Sequence, residues 1–220
     1  MATVKKEAAT GKEQVTIAPP NIKTGVFTIV GIAPYVQHKF SEKAKRQMRE
    51  KQEAGSTAKK GAKREARNFQ DDYEAAMYRT PNGGYGIPAP AIRNAMISAC
   101  RLCGFQMTRA KLSVFVEADC FDAADATPLI GIKNGEPKYF ESTVRLESGV
   151  CSLAVRPKWD EGWEADVRIS FDADQFTLSD VANLLARAGQ QVGIGEGRPD
   201  SKNSTGLGWG LFRISNKQES

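Results

Sequence analysis

The chain has 220 residues, of which 40% are hydrophobic and 26% are charged, and its formal net charge is +5. This length and balance suit one folded domain with a sizeable core, and no apolar run approaches the roughly 20 residues that a membrane helix needs. The composition therefore predicts no membrane partner. Because polar sequence follows the first residues, where a secretory signal would be apolar, we expect a cytoplasmic protein.

The two ends of the chain differ in character from its middle. The segment 1–22 is polar, lacks periodicity and ends near two prolines, which predicts a flexible N-terminal arm. A first strand is predicted over 24–32, because this stretch is rich in β-branched and aromatic residues. We expect a single domain over 23–215, followed by a flexible tail at 216–220.

A first insertion, at about 34–87, contains most of the excess positive charge. Its segment 39–67 has eleven basic and four acidic residues. One or two helices are predicted here with a mobile middle, and Phe69, Tyr73 and Met77 recur at the spacing that would dock the second helix on the domain. A basic excess in one segment indicates a local anionic partner.

Helices and strands are predicted in turn along the rest of the chain. The core elements are a helix over 89–103, strands over 111–117 and 163–171, a helix over 178–188 with an N-cap at Thr177 or Ser179, and a last strand over 209–214. A second insertion, at about 118–160, is predicted to be rich in short strands, at 128–132, 142–146 and 150–155.

The cysteines and acidic clusters predict neither a metal site nor a cofactor. Cys100 and Cys103 lie three residues apart on a predicted helix and share a face, so we expect reduced cysteines in the core, like Cys120 and Cys151. A zinc site would need a second such pair or nearby histidines, and the chain has one histidine, His38. The aspartate clusters fall at helix starts and turns, where capping favours aspartate.

A glycine-rich loop between the second core helix and the last strand is the most distinctive stretch. Seven glycines lie within 189–210, and glycine permits positive φ angles or the close approach of another chain. The spacing fits neither the dinucleotide fingerprint nor the phosphate loop of ATPases. The glycines singled out for contact with a ligand are Gly193, Gly195, Gly197, Gly206 and Gly208.

With both insertions set aside, the predicted order is β-α-β-β-α-β, that of ferredoxin-like domains. A loop in this position, running from Gly193 to Pro199 and on to Gly206-Leu207-Gly208-Trp209-Gly210, resembles the signature of the repeat-associated RNA-binding superfamily. That superfamily includes the backbone and processing subunits of CRISPR effector complexes, and the helical insertion is similar to the inserted subdomain of backbone subunits. The resemblance covers about half of the chain.

The resemblance implies an α+β, ferredoxin-like (RRM-like) core that carries a basic helical insertion and a β-rich second insertion. It also implies RNA binding and the side-by-side assembly of subunits along a strand, as a homo-oligomer or filament. A CRISPR backbone-type subunit is the member that the chain resembles most.

We therefore expect a non-catalytic protein that binds single-stranded RNA or DNA through the phosphate backbone. Basic side chains neutralise phosphates, glycine amides can approach phosphate oxygens, and aromatic rings stack on bases. The candidate nucleic-acid-binding residues are Lys39, Lys43, Lys45, Arg46, Arg49, Lys59, Lys60, Lys63, Arg64, Arg67, Tyr85, Arg198 and Lys202.

Two alternative functions stay open. One is a self-assembling structural or interaction protein that imitates such a subunit, because the arms and insertions could mediate oligomer contacts. The other is a metal-independent endoribonuclease like the processing members of the superfamily, in which His38 would transfer protons near neutral pH. The basic segment can also be interpreted as a solvated helix face. Trp159 and Trp163 can also be interpreted as residues that pack in the core.

Overall fold

The computed structural model describes residues 17–55, 67–145, 149, 151–201 and 206–215. This described part contains five α-helices and three antiparallel sheets, which makes the protein a mixed α+β structure. None of its helices is long and apolar enough to cross a membrane. Most of the predicted N-terminal arm, the predicted C-terminal tail and the predicted mobile middle of the basic insertion lie outside the described residues.

The largest sheet contains four strands from distant parts of the chain. They are β1 (Ile22–Gly31), β4 (Val114–Val116), β9 (Glu164–Asp172) and β10 (Phe212–Ile214). Their order is β10-β1-β9-β4, and every neighbouring pair is antiparallel. The long central pair runs from Ile22 opposite Asp172 to Val30 opposite Glu164.

Two helices, α3 (Ala89–Ala99) and α5 (Leu178–Arg187), pack on one face of this sheet. The helix α5 begins with a capping box in which Thr177 and Asp180 bond each other's backbone N–H groups. This confirms Thr177 as the N-cap. Alternate residues of β9 face the helices and are buried, as a strand period of two requires; they are Ala165, Val167, Ile169 and Phe171.

A second sheet is built from the long hairpin of β7 (Lys138–Arg145) and β8 (Cys151–Trp159), with β2 (Tyr35–Val36) beside β8. Its buried face holds the helix α2 (Phe69–Ala75), which docks through a cluster formed by Tyr73, Met77 and Val155, with Phe69 packed against it. The predicted docking of the second inserted helix is thereby confirmed.

The remaining elements complete the two insertions and the edge of the core. The helix α1 (Glu42–Ala54) precedes α2, and α4 (Met107–Ser113) leads into β4. A third small sheet consists of β3 (Gly86–Pro88), β6 (Pro128–Gly131) and β5 (Cys120–Phe121), in that order.

Two predicted strands are shorter than the sequence indicated. The predicted strand at 111–117 is helical as far as Ser113: in α4 the buried Ala110 and Ser113 are three residues apart, on one side of the helix, while Leu112 is 79% exposed. The last strand starts at Phe212 instead of Trp209, because Gly210 has a φ of +69° and donates its N–H to the carbonyl of Pro34.

The cysteines differ from the prediction in burial but not in oxidation state. All four are free thiols, and only Cys100 is fully buried, whereas Cys120 is half-buried and Cys103 and Cys151 are exposed. The predicted helix 89–103 ends in a tight turn over Cys100–Leu102. This turn rotates Cys103 away from the core side that a regular helix would have given it.

Candidate functional site

A cleft of about 1230 Å³ opens beside the glycine-rich loop. Its walls are the loop itself, one face of α3, the solvent-facing side of the β7–β8 hairpin, and the segment around His38 that follows β2. Small-molecule pockets typically enclose about 300–1,000 Å³, so this cleft can hold a ligand larger than a single small molecule. Both the core and the insertions contribute to it.

The glycine-rich loop is tied to β2 and to the residue that precedes it. The N–H of Glu196 donates to the carbonyl of Val36 at 3.0 Å, and the N–H of Gly210 donates to that of Pro34 at 2.7 Å. The two ends of the loop are joined by the bond from Ile194 N–H to the Gly210 carbonyl, at 3.0 Å. These bonds hold the described parts of the loop, 189–201 and 206–210, as a wall of the cleft.

The glycines serve this loop in two different ways. Gly195 and Gly197 both have a φ of +76°, and a Cβ on Gly195 would lie 2.5 Å from the Val36 carbonyl oxygen. At Gly206 and Gly208, whose φ angles are also positive, a Cβ would meet no atom within 4 Å. The first pair is therefore required both for backbone conformation and for packing, the second pair for conformation alone.

Two amide groups of the loop lack a partner. Within the described part of the chain, the N–H groups of Gly195 and Gly197 have no hydrogen-bond partner, and both residues line the cleft. The Arg198 guanidinium donates to the carbonyl of Gly195 at 2.9 Å, which places its charge beside these amides. Clustered backbone N–H groups next to a cation form a favourable environment for an anion.

The two carboxylates of the cleft are each paired with an arginine. Glu196 accepts a hydrogen bond from Arg156 Nε at 2.6 Å, and Asp200 accepts two from one terminal nitrogen of Arg101, both at 2.7 Å. The bond from Arg101 is the main reason that the pKa of Asp200 lies below its ordinary value. Neither carboxylate therefore contributes uncompensated negative charge.

Two cations, one lining the cleft and one beside it, lack such a partner. Among the described residues, neither Arg198 nor Lys158 has a carboxylate within ion-pair distance. The Lys158 ammonium lies 4.6 Å from the ring centre of Phe140 and 5.2 Å from that of Trp209. Cation–π contacts hold an ammonium group in place without neutralising its charge. The cleft consequently has a local excess of positive charge.

His38 lies beside the Arg156–Glu196 pair and is 52% exposed. Its Nδ1 is 3.3 Å from a carboxylate oxygen of Glu196 and 3.3 Å from a terminal nitrogen of Arg156. Burial and the charge of Arg156 lower the pKa of His38, and the Glu196 carboxylate offsets this only in part. We therefore expect a neutral imidazole at pH 7.

Three of the basic residues predicted to bind phosphate are engaged in contacts within the protein and do not line the cleft. They are Lys39, 7% exposed and paired with Asp122; Lys45, paired with Glu42 at 2.6 Å and Asp125 at 3.0 Å; and Arg67, bonded to Asp72 and to the Leu153 carbonyl. These ion pairs tie the basic insertion to the rest of the fold, so the expected phosphate contacts at these positions are not supported by the geometry.

The other predicted residues are spread over several places. Arg46 and Arg49 are exposed on α1, away from the cleft, and Lys43 lies in the same helix. Tyr85 packs edge-on against Trp159 at 5.5 Å, so its ring belongs to the core boundary. Residues outside the described part are Lys59, Lys60, Lys63, Arg64 and Lys202. The cleft brings together Gly193, Gly195, Gly197, Arg198 and His38.

Some residues in or beside the cleft were not singled out from the sequence; Asn94, Phe140 and Trp209 line it, and Arg156 and Lys158 lie next to its lining residues. Arg156 and Lys158 share one side of β8, while Val155, Pro157 and Trp159 are buried on the other. This period-two alternation was visible in the sequence and indicates a two-faced strand with a basic outer side. Phe140, Asn94 and Trp209 had no comparable signal, because their roles depend on distant neighbours.

The described residues contain no group of three or more His, Cys, Asp or Glu side chains that could hold a metal ion. Comparison of the chain with protein-family models gives no match, and a search of the curated proteins gives none either. The features that bear on function are therefore the cleft itself, its paired carboxylates, and the two cations without an ion-pair partner, one lining the cleft and one beside it.

Proposed function

We propose that the protein binds single-stranded nucleic acid in this cleft, mainly through the phosphate backbone, and does not cleave it. The observation that carries the proposal is a pair of cations without carboxylate partners: Arg198 lines the cleft, and Lys158 lies beside it, 5.2 Å from the ring centre of Trp209, which lines the cleft. Lysine and arginine neutralise phosphates and release counterions. The free amides of the loop add neutral donors for phosphate oxygens.

We further propose that the four-stranded sheet with α3 and α5 is a ferredoxin-like core. Its strand order, β10-β1-β9-β4, supports this, because the first core strand lies between the last and the third. The glycine-rich loop, which connects α5 to β10, supports kinship with the repeat-associated RNA-binding superfamily and its CRISPR backbone-type subunits. The helices α1 and α2, which follow β1 and β2, support it in the same way.

The proposed interface is the cleft and not the basic helix α1. A binding assay with single-stranded RNA and DNA distinguishes the two, using Lys158→Gln and Arg198→Gln as cleft variants and Arg46→Gln with Arg49→Gln as controls on α1. Loss of one charge-assisted hydrogen bond is expected to weaken binding roughly tenfold in each cleft variant. Each loss should also make the slope of log K against log salt shallower by about 0.7.

The α1 control variants are expected to bind within about twofold of the wild type, since solvated cations away from the strand contribute little. A larger loss in the α1 controls than in the cleft variants would move the interface to α1. Binding that is absent, or that is unaffected by both cleft variants, would refute the proposal.

An endoribonuclease is the second candidate, and one observation favours it. His38 lies on the wall of the cleft, with its Nδ1 beside Glu196, and a neutral imidazole at pH 7 is able to accept a proton. The labelled RNA of the binding assay tests this directly. We expect the strand to remain intact; cleavage that is present in the wild type and absent in His38→Ala would establish the enzyme instead.

A further inference from the structure

The face of α3 that lines the cleft is made of mostly small residues. Ala91, Asn94, Ala95 and Ser98 lie on this face, at the spacing that places them on one side of a helix. Because the other three side chains are small, the Asn94 carboxamide is the largest group that α3 presents to the cleft.

The Asn94 carboxamide differs from the other polar groups near it because it has no hydrogen-bond partner among the described residues. Asn94 is exposed, and no described residue hydrogen-bonds its side chain. Ser98 bonds Asp200, which Arg101 also holds. The other amide of the cleft, Gln37, is buried, donates to the Gly86 carbonyl at 2.6 Å and accepts from a backbone N–H at 3.0 Å. Asn94 thus keeps both its donor and its acceptor for a ligand.

We infer that Asn94 hydrogen-bonds the edge of an unpaired base and gives the protein a preference among bases. This inference rests on the proposed function, since it requires a strand in the cleft. A carboxamide presents a donor and an acceptor side by side, which matches adjacent groups on a base edge. In a single strand these edges are not occupied by a complementary strand.

The phosphate contacts and the base contact that we infer would come from different walls of the cleft. Arg198 lies on the loop and Lys158 on the hairpin, whereas Asn94 lies on α3. A strand held at its phosphates by the first two walls has its bases free to contact the third. Phosphate contacts provide affinity that is independent of sequence, and an edge contact adds discrimination between bases.

The test measures the affinity of short single-stranded homopolymers of A, C and U, by fluorescence anisotropy at one salt concentration. The proteins are the wild type, Asn94→Ala and the matched control Asn183→Ala, whose asparagine is exposed on α5 and does not line the cleft. Alanine has a higher helix propensity than asparagine, so both variants are expected to fold, which melting curves verify.

The wild type is expected to favour one homopolymer over the weakest by roughly tenfold, within the range of one bidentate base contact. Asn94→Ala should reduce this spread to about twofold by weakening only the favoured strands, while Asn183→Ala should keep it. Equal affinity of the wild type for all strands would overturn the inference, as would a spread that survives in Asn94→Ala or disappears in Asn183→Ala. Each of these results leaves the proposed function standing, whereas absence of binding to every strand overturns both.

Discussion

A methyl group added at Gly210 would overlap the carbonyl oxygen of Ile194, the residue whose N–H joins the two ends of the glycine-rich loop by donating to the Gly210 carbonyl. Gly208 has the same φ of +69°, but a Cβ there would meet nothing within 4 Å. The pair therefore separates two costs of replacing a glycine. One is the strain of a positive φ, and the other is the collision with a neighbouring backbone.

We predict that Gly208→Ala lowers the free energy of unfolding by about 1–2 kcal/mol, the cost of a left-handed conformation. Gly210→Ala should lower it by about 3–5 kcal/mol, because the backbone of the loop must also move. Urea denaturation of both variants measures the difference. Equal losses would mean that the loop absorbs the collision and is less tightly held than its hydrogen bonds indicate.

The two tryptophans that flank the turn before β9 act as core residues. Trp159 and Trp163 are 0% and 1% exposed, and the indole N–H of Trp163 donates to the carbonyl of Ala33 at 3.0 Å. Tyr35 lies between them, with its ring centre 5.6 Å from that of Trp159 and 5.4 Å from that of Trp163. The core-packing interpretation of both tryptophans is thus confirmed.

At the scale of elements, the basic insertion is attached to the loop between β5 and β6 by a buried ion pair. Lys39 bonds Asp122, whose side chain is 1% exposed and also accepts from the N–H groups of Arg79 and Ala124. Burial by itself would raise the pKa of Asp122, but the Lys39 bond and these backbone bonds outweigh it and lower the pKa.

The pKa of Asp125, in the same loop, is set by the same two opposing effects, burial and hydrogen bonding. Burial acts to raise its pKa, and hydrogen bonds from Thr127 and Lys45 lower it further than burial raises it. A carboxyl group whose pKa is lower in the folded state contributes stability above its unfolded pKa and loses that contribution as pH falls through its folded pKa. The contribution of both aspartates is therefore complete above about pH 4 and declines below it.

We predict that stability, measured by urea denaturation, falls progressively below about pH 4. The variant Lys39→Met should lower stability at pH 7 by about 3–5 kcal/mol, because it leaves the Asp122 carboxylate buried without its cation. It should also make the acid loss smaller, since protonation of Asp122 then relieves an unpaired charge. The control Arg49→Met, on the exposed side of α1, should change stability by less than about 0.5 kcal/mol. Equal effects of the two substitutions would show that the Lys39 pair does not hold the insertion in place.

At the scale of the whole molecule, we also propose the side-by-side assembly along a strand that the resemblance to CRISPR backbone-type subunits implies. It predicts that the number of protein copies bound rises in proportion to oligonucleotide length, because each copy occupies a fixed stretch of backbone. Size-exclusion chromatography with light scattering, run with strands of increasing length, measures this number. A large assembly whose mass is the same without nucleic acid would favour the self-assembling structural protein, and a single copy on every strand would refute assembly.

The parts of this protein that could be predicted from the sequence are those governed by neighbours in the chain. The capping box at Thr177 and the helical recurrence of Tyr73 and Met77 were recognised because capping and periodicity depend on residues a few positions apart. Prediction was poorer at 111–117, where a helix passes directly into a strand and both periods share the same residues.

The cleft depends on contacts between residues far apart in the chain. His38, Asn94, Phe140 and Arg198 come from four separate segments that only folding brings to one cavity. The sequence showed a basic excess in the insertion. It could not show that Lys39 forms an ion pair with a buried carboxylate, whereas Lys158 contacts aromatic rings and has no such partner among the described residues. The net charge of a segment is summed from its sequence alone. The charge that a ligand can contact is what remains after ion pairs have formed across the fold.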